Sequence, residues 1–161
     1  MAMRAHPAGT LRRHMAGFNL VELMIVVGVM AVLAAIAAPN MAKMVSAQRL
    51  KTAAFDVVAS LSYARSEAVK RNTTVAINPV SGNWANGWQV VDSNGNVLRK
   101  QDRYDGSITF TGPNTVVFNS SGRVPPGVNP FNLSSFGMTT NRCRIVNVDS
   151  SGRAVSEEGG C

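Results

Sequence analysis

One carboxylate inside a long apolar stretch is the clearest chemical signal in the sequence. Between Phe18 and Ala38, Glu22 is the single charged residue, and Asn19 is the only other strongly polar one. A charged side chain in a membrane-spanning segment is costly, so it marks a functional site by default. The stretch is 21 residues long, which is about the length that a helix needs to cross a bilayer. The sequence therefore predicts a membrane-spanning helix that carries a functional carboxylate near its start.

Outside this stretch, the sequence offers little for catalysis or metal binding. Both histidines, His6 and His14, precede the stretch, and histidine is the usual general base and the commonest metal ligand. No nucleophile elbow, phosphate-binding glycine loop or Cys/His ligand set occurs in the chain. Asp102 and Asp105 flank an Arg and a Tyr in a predicted turn, a pattern typical of solvated surface. We therefore expect no enzymatic activity, no cofactor and no metal.

Basic residues on one side of the apolar stretch predict its orientation. Arg4, Arg12 and Arg13 precede the stretch, whereas the first basic residue after it is Lys43. Because positively charged flanks stay in the cytoplasm, the N-terminal segment is expected to be cytoplasmic and the remainder of the chain to be exported.

The two cysteines of the chain, Cys143 and Cys161, both lie late in the sequence. An even pair in an exported domain is typical of one disulfide bond. We therefore predict a Cys143–Cys161 disulfide, which ties the last residue back to the strand predicted at residues 142–148.

Apolar spacing predicts that the helix continues beyond Pro39 to Arg71. The residues of its apolar stripe recur at steps of three and four, as on one face of a helix: they are Ala47, Leu50, Ala54, Val57, Val58, Leu61, Ala64 and Ala68. Asn72 follows Lys70 and Arg71 and is predicted to cap the helix end. The stripe is interpreted as core packing against a sheet.

From Thr73 onward the pattern changes to short strands separated by turn residues. The predicted strands are 73–78, 87–92, 97–101, 107–111, 115–119, 142–148 and 153–156. Asn94-Gly95 predicts a hairpin between the second and third strands, and Gly112-Pro113-Asn114 predicts another between the fourth and fifth. The prolines of residues 125–132 predict a loop.

These elements predict an α+β fold, in which a long N-terminal transmembrane helix packs on a C-terminal antiparallel β-rich head. The predicted segments are a short basic N-terminus (1–17), a hydrophobic helix (18–39), an amphipathic helix (40–72) and the head (73–161). Trp84 and Trp88 are interpreted as core residues of the head, since aromatic residues in strands usually pack inside.

Residues 17–22, with the sequence GFNLVE, resemble the N-terminus of type IV pilins and of type II secretion pseudopilins. In that superfamily, prepilin peptidase cuts after the Gly and methylates the new N-terminal Phe. The resemblance implies that residues 1–17 are a leader cleaved between Gly17 and Phe18, and that Phe18 is N-methylated. It also implies that Glu22 serves processing and assembly. In assembly, the Glu22 carboxylate meets the Phe18 amine of a neighbouring subunit. Pairing offsets the cost of holding either charge in an apolar bundle.

Two other interpretations of the apolar stretch remain open. One is a secretory signal cleaved after the small residues Ala35-Ile36-Ala37, although the stretch is longer than a usual signal core. The other is a membrane anchor with no role in assembly, which accounts for the length and leaves Gly17, Glu22 and Pro39 unexplained.

Three segments beyond Pro39 are similar to the GspH/FimT group of minor pilins and pseudopilins. They are residues 61–72, the Trp-x-x-Gly-Trp segment 84–88, and Ser151-Gly152-Arg153. The resemblance implies a minor pilin of a type IV pilus, assembled at low abundance to initiate or cap the filament, or else a GspH-type pseudopilin of type II secretion. Its implied partners are prepilin peptidase and other pilins or pseudopilins. It implies a single-pass location in the inner membrane with a periplasmic head, followed by assembly into a pilus or a periplasmic pseudopilus.

Three arginines late in the chain suggest double-stranded DNA as a further partner. Arg142 and Arg144 share one face of a predicted strand, and Arg153 is predicted to be their cross-strand neighbour; guanidinium groups bind phosphates well. Some FimT members are DNA-uptake proteins with a Gly-Arg-x-Arg motif, in which Val155 stands here in place of the second Arg. Loss of the leader lowers the net charge from +7 to +4, which permits contact with a polyanion without requiring it.

Overall fold

The computed structural model describes residues 19–104, 106, 108–135 and 143–160. These residues form one long helix, eight strands and two short 3₁₀ turns, at Val80–Gly82 and Trp84–Asn86. The elements are α1 (Leu20–Arg71), β1 (Val75–Pro79), β2 (Trp88–Asp92), β3 (Val97–Gln101), β4 (Ile108–Thr111), β5 (Val116–Phe118), β6 (Phe131–Ser135), β7 (Cys143–Val148) and β8 (Ala154–Gly159). The predicted α+β fold is confirmed.

The helix α1 extends over two compact units of the chain, Met1–Pro39 and Asn40–Cys161. Within the first unit, its most apolar window has a mean hydropathy of 2.7, and none of that window is buried in the structure. By length and composition, α1 can cross a membrane.

The carboxyl end of α1 is closed by Asn72, as predicted. Asn72 adopts a left-handed conformation with φ of 50°. Its N–H donates to the carbonyl of Val69 at 3.2 Å, and the N–H of Thr73 donates to the carbonyl of Ala68 at 3.1 Å. This is a Schellman motif, and it satisfies carbonyls that the helix end leaves without partners.

The second part of α1 buries most of the stripe that its spacing predicts. Six of the eight predicted residues are buried, Ala47 and Val58 are half-buried, and Ala53 is buried in addition. The buried stripe consists of Leu50, Ala53, Ala54, Val57, Leu61, Ala64 and Ala68. Small alanines alternate with larger aliphatic residues along this stripe. Because the stripe belongs to the same cluster as strand residues such as Val90 and Leu133, α1 and the strands share one core.

The strands form two antiparallel sheets, with orders β3-β2-β1-β5 and β4-β6-β7-β8. The hairpin predicted at Asn94-Gly95 is confirmed, since β2 pairs with β3 around this turn. The hairpin predicted at Gly112-Pro113-Asn114 is wrong. The two flanking strands exist, but β4 pairs with β6 and β5 pairs with β1, so the chain crosses between sheets at this point.

Core contacts explain why this crossing does not close a hairpin. The indole N–H of Trp84 donates to the carbonyl of Pro113 at 2.8 Å. A Cβ atom at Gly112 would lie 2.8 Å from the ring of Phe131. The segment is therefore held against buried aromatic residues far away in sequence, which a local turn signal cannot reveal.

Strand β6 is a second departure from the sequence prediction, which placed residues 125–132 in a loop. Phe131 and Leu133 are fully buried, and β6 pairs with both β4 and β7. Pro130 stands immediately before the strand, where its missing N–H removes no hydrogen bond of the ladder. The prolines therefore bound this strand and do not prevent it.

An aromatic cluster fills the core of the head. Trp88 lies 6.0 Å from Tyr104 and 6.2 Å from Phe110, measured between ring centroids, and Trp84 meets Phe131 edge-on at 4.8 Å. Both tryptophans are buried, as predicted. The hydroxyl of Tyr104 donates to the Asp56 carboxylate on α1 at 2.6 Å. Burial and this hydrogen bond raise the pKa of Tyr104 far above its usual value, so the phenol keeps its proton as a donor.

Candidate functional site

The predicted processing site begins just before the described part of the chain. Gly17 and Phe18 lie outside the described residues. Glu22 lies in the first turn of α1, with an exposed side chain. The partial positive charge at a helix start favours a carboxylate in this turn. Position and exposure therefore leave the Glu22 carboxylate available to a partner outside its own helix.

Asn19 caps the start of α1, a role that sequence reasoning missed. Its backbone carbonyl accepts from the N–H of Leu23 at 3.1 Å. Its side-chain carbonyl accepts from the N–H of Val21 at 3.4 Å. Asparagine is among the preferred residues at this position, so the cap gives a physical reason for the polar residue next to Phe18.

The structure describes one of the two cysteines of the predicted disulfide. Cys143 is the buried first residue of β7, whereas Cys161 lies outside the described residues. The register places Gly159 directly opposite Cys143, so the chain passes Cys143 two residues before its last residue. This path is compatible with the predicted disulfide, which stays a prediction.

The structure does not bring the predicted arginine cluster together. Arg142 lies outside the described residues. Arg144 faces Glu158 across the β7–β8 ladder and contacts its carboxylate at 2.5 Å. Arg153 precedes β8 at the opposite end, where Val148 pairs with Ala154. Four residues of strand separate the two ends, or roughly 14 Å at about 3.4 Å per residue. The prediction that Arg153 is a cross-strand neighbour of Arg144 is therefore wrong.

Arg153 instead belongs to a turn whose sequence occurs twice. Residues 119–123 read NSSGR and residues 149–153 read DSSGR. In the second turn, the Asp149 carboxylate accepts from the Ser151 hydroxyl at 2.5 Å and from the Arg153 N–H at 3.0 Å. Hydrogen bonds from Ser151 and from the backbone hold the pKa of Asp149 below its usual value. The first turn has the same arrangement, since the Asn119 side chain accepts from the Arg123 N–H at 2.9 Å.

The two turns pack directly on each other. Gly122 and Gly152 have φ of 71° and 80°, which favours glycine. A Cβ atom at Gly152 would lie 2.1 Å from the carbonyl oxygen of Gly122, so only glycine fits there. The Ser-Ser-Gly-Arg sequence occurs in both turns, and this repeat could have indicated from the sequence that the two turns are alike.

The acidic residues that the structure describes in the head show no metal-binding arrangement. In the parts of the chain that the structure describes, no group of three or more His, Cys, Asp or Glu residues could hold a metal ion. Asp102 is exposed and lies 3.6 Å from Lys100, an ordinary surface ion pair, and Asp105 lies outside the described residues.

A long apolar helix on a head of two antiparallel sheets is the architecture of a pilin-like subunit. Residues 53–152 match the model of the family described as type II transport protein GspH. The chain belongs to this GspH family of pilins and pseudopilins, which confirms the predicted GspH/FimT relationship. These are structural proteins and not enzymes, and membership implies assembly with other pilins or pseudopilins.

Solved structures of a minor pilin support this assignment. The chain is similar to the type IV minor pilin FimU of Pseudomonas aeruginosa strain PAO1, seen in two crystal forms with 28% sequence identity. The TM-scores are 0.61 and 0.58, covering 68% and 67% of this chain and 89% and 92% of the FimU chains. No curated protein is significantly similar to the chain.

Proposed function

We propose that the chain is a minor pilin of a type IV pilus that helps to initiate or cap the filament. Prepilin peptidase cuts it after Gly17, Phe18 is methylated, and the mature subunit assembles at low abundance. The observation that carries this proposal is a FimU-like head attached to an apolar helix with one carboxylate, Glu22, in its first turn.

The exposure of the first part of α1 supports an assembly role. Its large apolar side chains, such as Leu20 and Met24, are between 46% and 71% exposed up to Ile36. A helix that is apolar on all sides is stable only inside a membrane or a protein core. A bilayer before assembly and a bundle of pilin helices after it provide both environments for the same segment. The head then lies in the periplasm while α1 is anchored in the inner membrane.

Processing between Gly17 and Phe18 is the first testable consequence. Intact-mass analysis of the protein from its native membrane should show a chain that begins at Phe18 and carries one methyl group. Gly17→Glu places a bulky charge at the cleavage site and should leave the leader attached. Ala37→Val is the control at the alternative signal site, and in this variant residues 1–17 should still be removed. A mature chain that begins after Ala37 contradicts the proposal.

A pseudopilin of type II secretion is the second candidate, favoured by the description of the matching family. The two functions differ in which machine contains the subunit. Deleting the gene should reduce surface pili and leave protein export unchanged if the pilus proposal is right. Loss of export with normal piliation supports the pseudopilin.

DNA uptake through Arg142, Arg144 and Arg153 is the third candidate, and the geometry gives it less support. Arg144 is paired with Glu158, and Arg153 lies at the other end of the ladder. Phosphate contacts should weaken steeply with salt. A titration with duplex DNA at low salt tests this candidate: equal affinity of the natural chain and an Arg142/Arg144/Arg153→Ala variant excludes it.

A further inference from the structure

The side of α1 next to strand β8 is left open along most of the head. Strand β8 is the last strand of its sheet. Three adjoining grooves of about 290, 430 and 510 Å³ run between α1 and the β7–β8 hairpin. They extend from Met44 to Lys70, which is about 39 Å at a rise of ~1.5 Å per residue. We call this surface the α1–β8 seam and define it by Met44, Lys51, Phe55 and Val58 of α1 with Ala154 and Ser156 of β8.

Small side chains on the edge strand create the seam. Three β8 residues line the grooves next to α1: Ala154 and Ser156 are small, and the third is Glu158. Strands inside the sheet carry larger apolar residues such as Leu133. Phe55, which shares its groove with Ser156, is 68% exposed, and Met44, in the neighbouring groove, is 74% exposed. Phe55 lines its groove together with Val58, and an exposed aromatic side chain in a groove is typical of an anchor for a partner.

The walls of the seam carry an excess of positive charge. Five cations line its grooves: Lys51, Arg65, Lys70, Arg144 and Arg153. Among the lining residues that the structure describes, Glu158 is the one carboxylate, and it is paired with Arg144. Lys70 is paired with Glu67, so Lys51, Arg65 and Arg153 supply the excess of positive charge. An apolar surface rimmed by carboxylates therefore complements the seam, whereas a surface rimmed by cations is repelled.

Between residues 40 and 160, the part of a second copy that the structure describes offers no group of unpartnered carboxylates for such a surface. Every carboxylate that the structure describes between residues 40 and 160 already has a partner within the chain; the residues are Asp56, Glu67, Asp92, Asp102, Asp149, Glu157 and Glu158. Docking of two copies through the seam would also bring like charges together. The charge pattern thus selects a different molecule.

We propose that the α1–β8 seam docks an amphipathic helix of a different pilin-type subunit, with Phe55 as the apolar anchor and acidic residues of that helix against Lys51 and Arg65. This inference rests on the proposed function, since pilin-type partners surround the chain only in an assembled filament or its membrane precursor. The straight path of the seam along α1 fits a helix, and each pilin-type subunit brings a long one. The seam thereby fixes which neighbour this subunit accepts.

Photo-crosslinking from position 55 tests the proposal in the full-length chain. Phe55→p-benzoylphenylalanine, expressed in the native piliated cell, should give a light-dependent adduct with another pilin-type subunit. Mass spectrometry should place the crosslink in a helical segment that contains acidic residues. The same probe at Thr109, an exposed residue of β4, is the control and should not give this adduct. An adduct with a second copy, with lipid alone, or no adduct overturns the proposal.

Matched substitutions separate this proposal from the proposed function. Phe55→Asp and Lys51→Glu should each lower the amount of the chain in sheared pili at least about tenfold, because they remove a central anchor or reverse a complementary charge. Phe55→Leu and Thr109→Glu should leave it within about twofold. If the natural chain is in the pili and Phe55→Asp enters equally well, the seam proposal fails while the pilin function stands. If the natural chain is absent from pili but crosslinks to another pilin-type subunit in the membrane, the function fails and the seam stands.

Discussion

Trp88→Ala is expected to lower the free energy of unfolding of the head by about 3–5 kcal/mol, the usual cost of removing a large aromatic side chain from a core. Trp88 is only 1% exposed. It contacts three other aromatic rings, those of Trp84, Tyr104 and Phe110, so its removal leaves a cavity beside these rings. Since small domains are stable by about 5–15 kcal/mol, this variant should lose much of its stability margin.

Urea denaturation of the full-length protein in detergent, followed by circular dichroism of the strands, measures this effect. Val97→Ala is a suitable control because Val97 lies on the edge strand β3 and is 52% exposed. Its free energy of unfolding should change by no more than about 0.5 kcal/mol. A Trp88→Ala midpoint equal to that of the control would show that the aromatic cluster does not hold the head together.

The elements that sequence reasoning predicted correctly are those with local causes. Helix α1 follows from spacing and from the cap at Asn72, whose hydrogen bonds join residues no more than five positions apart. The β2–β3 hairpin follows from its turn, where the Asp92 carboxylate accepts from the N–H groups of Asn94 and Asn96 at 2.9 Å. In both cases the residues that decide the structure are neighbours in sequence.

The errors concern pairings that depend on distant residues. Gly112-Pro113-Asn114 has the residue types of a turn, yet its contacts with Trp84 and Phe131 hold it where the chain crosses between the two sheets. Strand β6 follows a proline-rich segment that predicted a loop, and its burial depends on β4 and β7, which pair with it on both sides. A local sequence pattern does not reveal these contacts, because the free energy that determines the strand pairing comes from packing between residues distant in sequence.

The candidate sites also differ in whether local sequence or distant contacts determine them. Glu22 could be predicted because a carboxylate in an apolar stretch is costly wherever the rest of the chain lies. The arginine cluster was misjudged, because the turn at residues 149–152 fixes the register of the β7–β8 hairpin. This register pairs Val148 with Ala154 and therefore brings Glu158 and not Arg153 opposite Arg144. The seam could not be predicted either, because the sequence alone does not show that Phe55 of α1 lines a groove with Ser156 of the edge strand β8.

Glu22→Ala is expected to leave cleavage largely intact and to lower incorporation into pili by about a hundredfold or more. In the proposed filament, the carboxylate meets the charged amine of Phe18 in a neighbouring subunit, within an apolar bundle. Removing one partner of a buried ion pair costs about 3–5 kcal/mol, because the other charge is left unpaired. A cost of this size corresponds to at least about a hundredfold change in an equilibrium, since ~1.4 kcal/mol is tenfold.

The ratio of this subunit to the major pilin in sheared filaments is the quantity to measure, with mature chain in the membrane as the reference. Glu22→Asp keeps the charge and shortens the side chain by one methylene, so it should retain part of the incorporation. Glu22→Gln keeps the shape and loses the charge, and it should resemble the Ala variant. If Gln restores incorporation, shape or hydrogen bonding at position 22 matters and the charge pair does not. If all three variants enter pili as the natural chain does, α1 serves only as a membrane anchor.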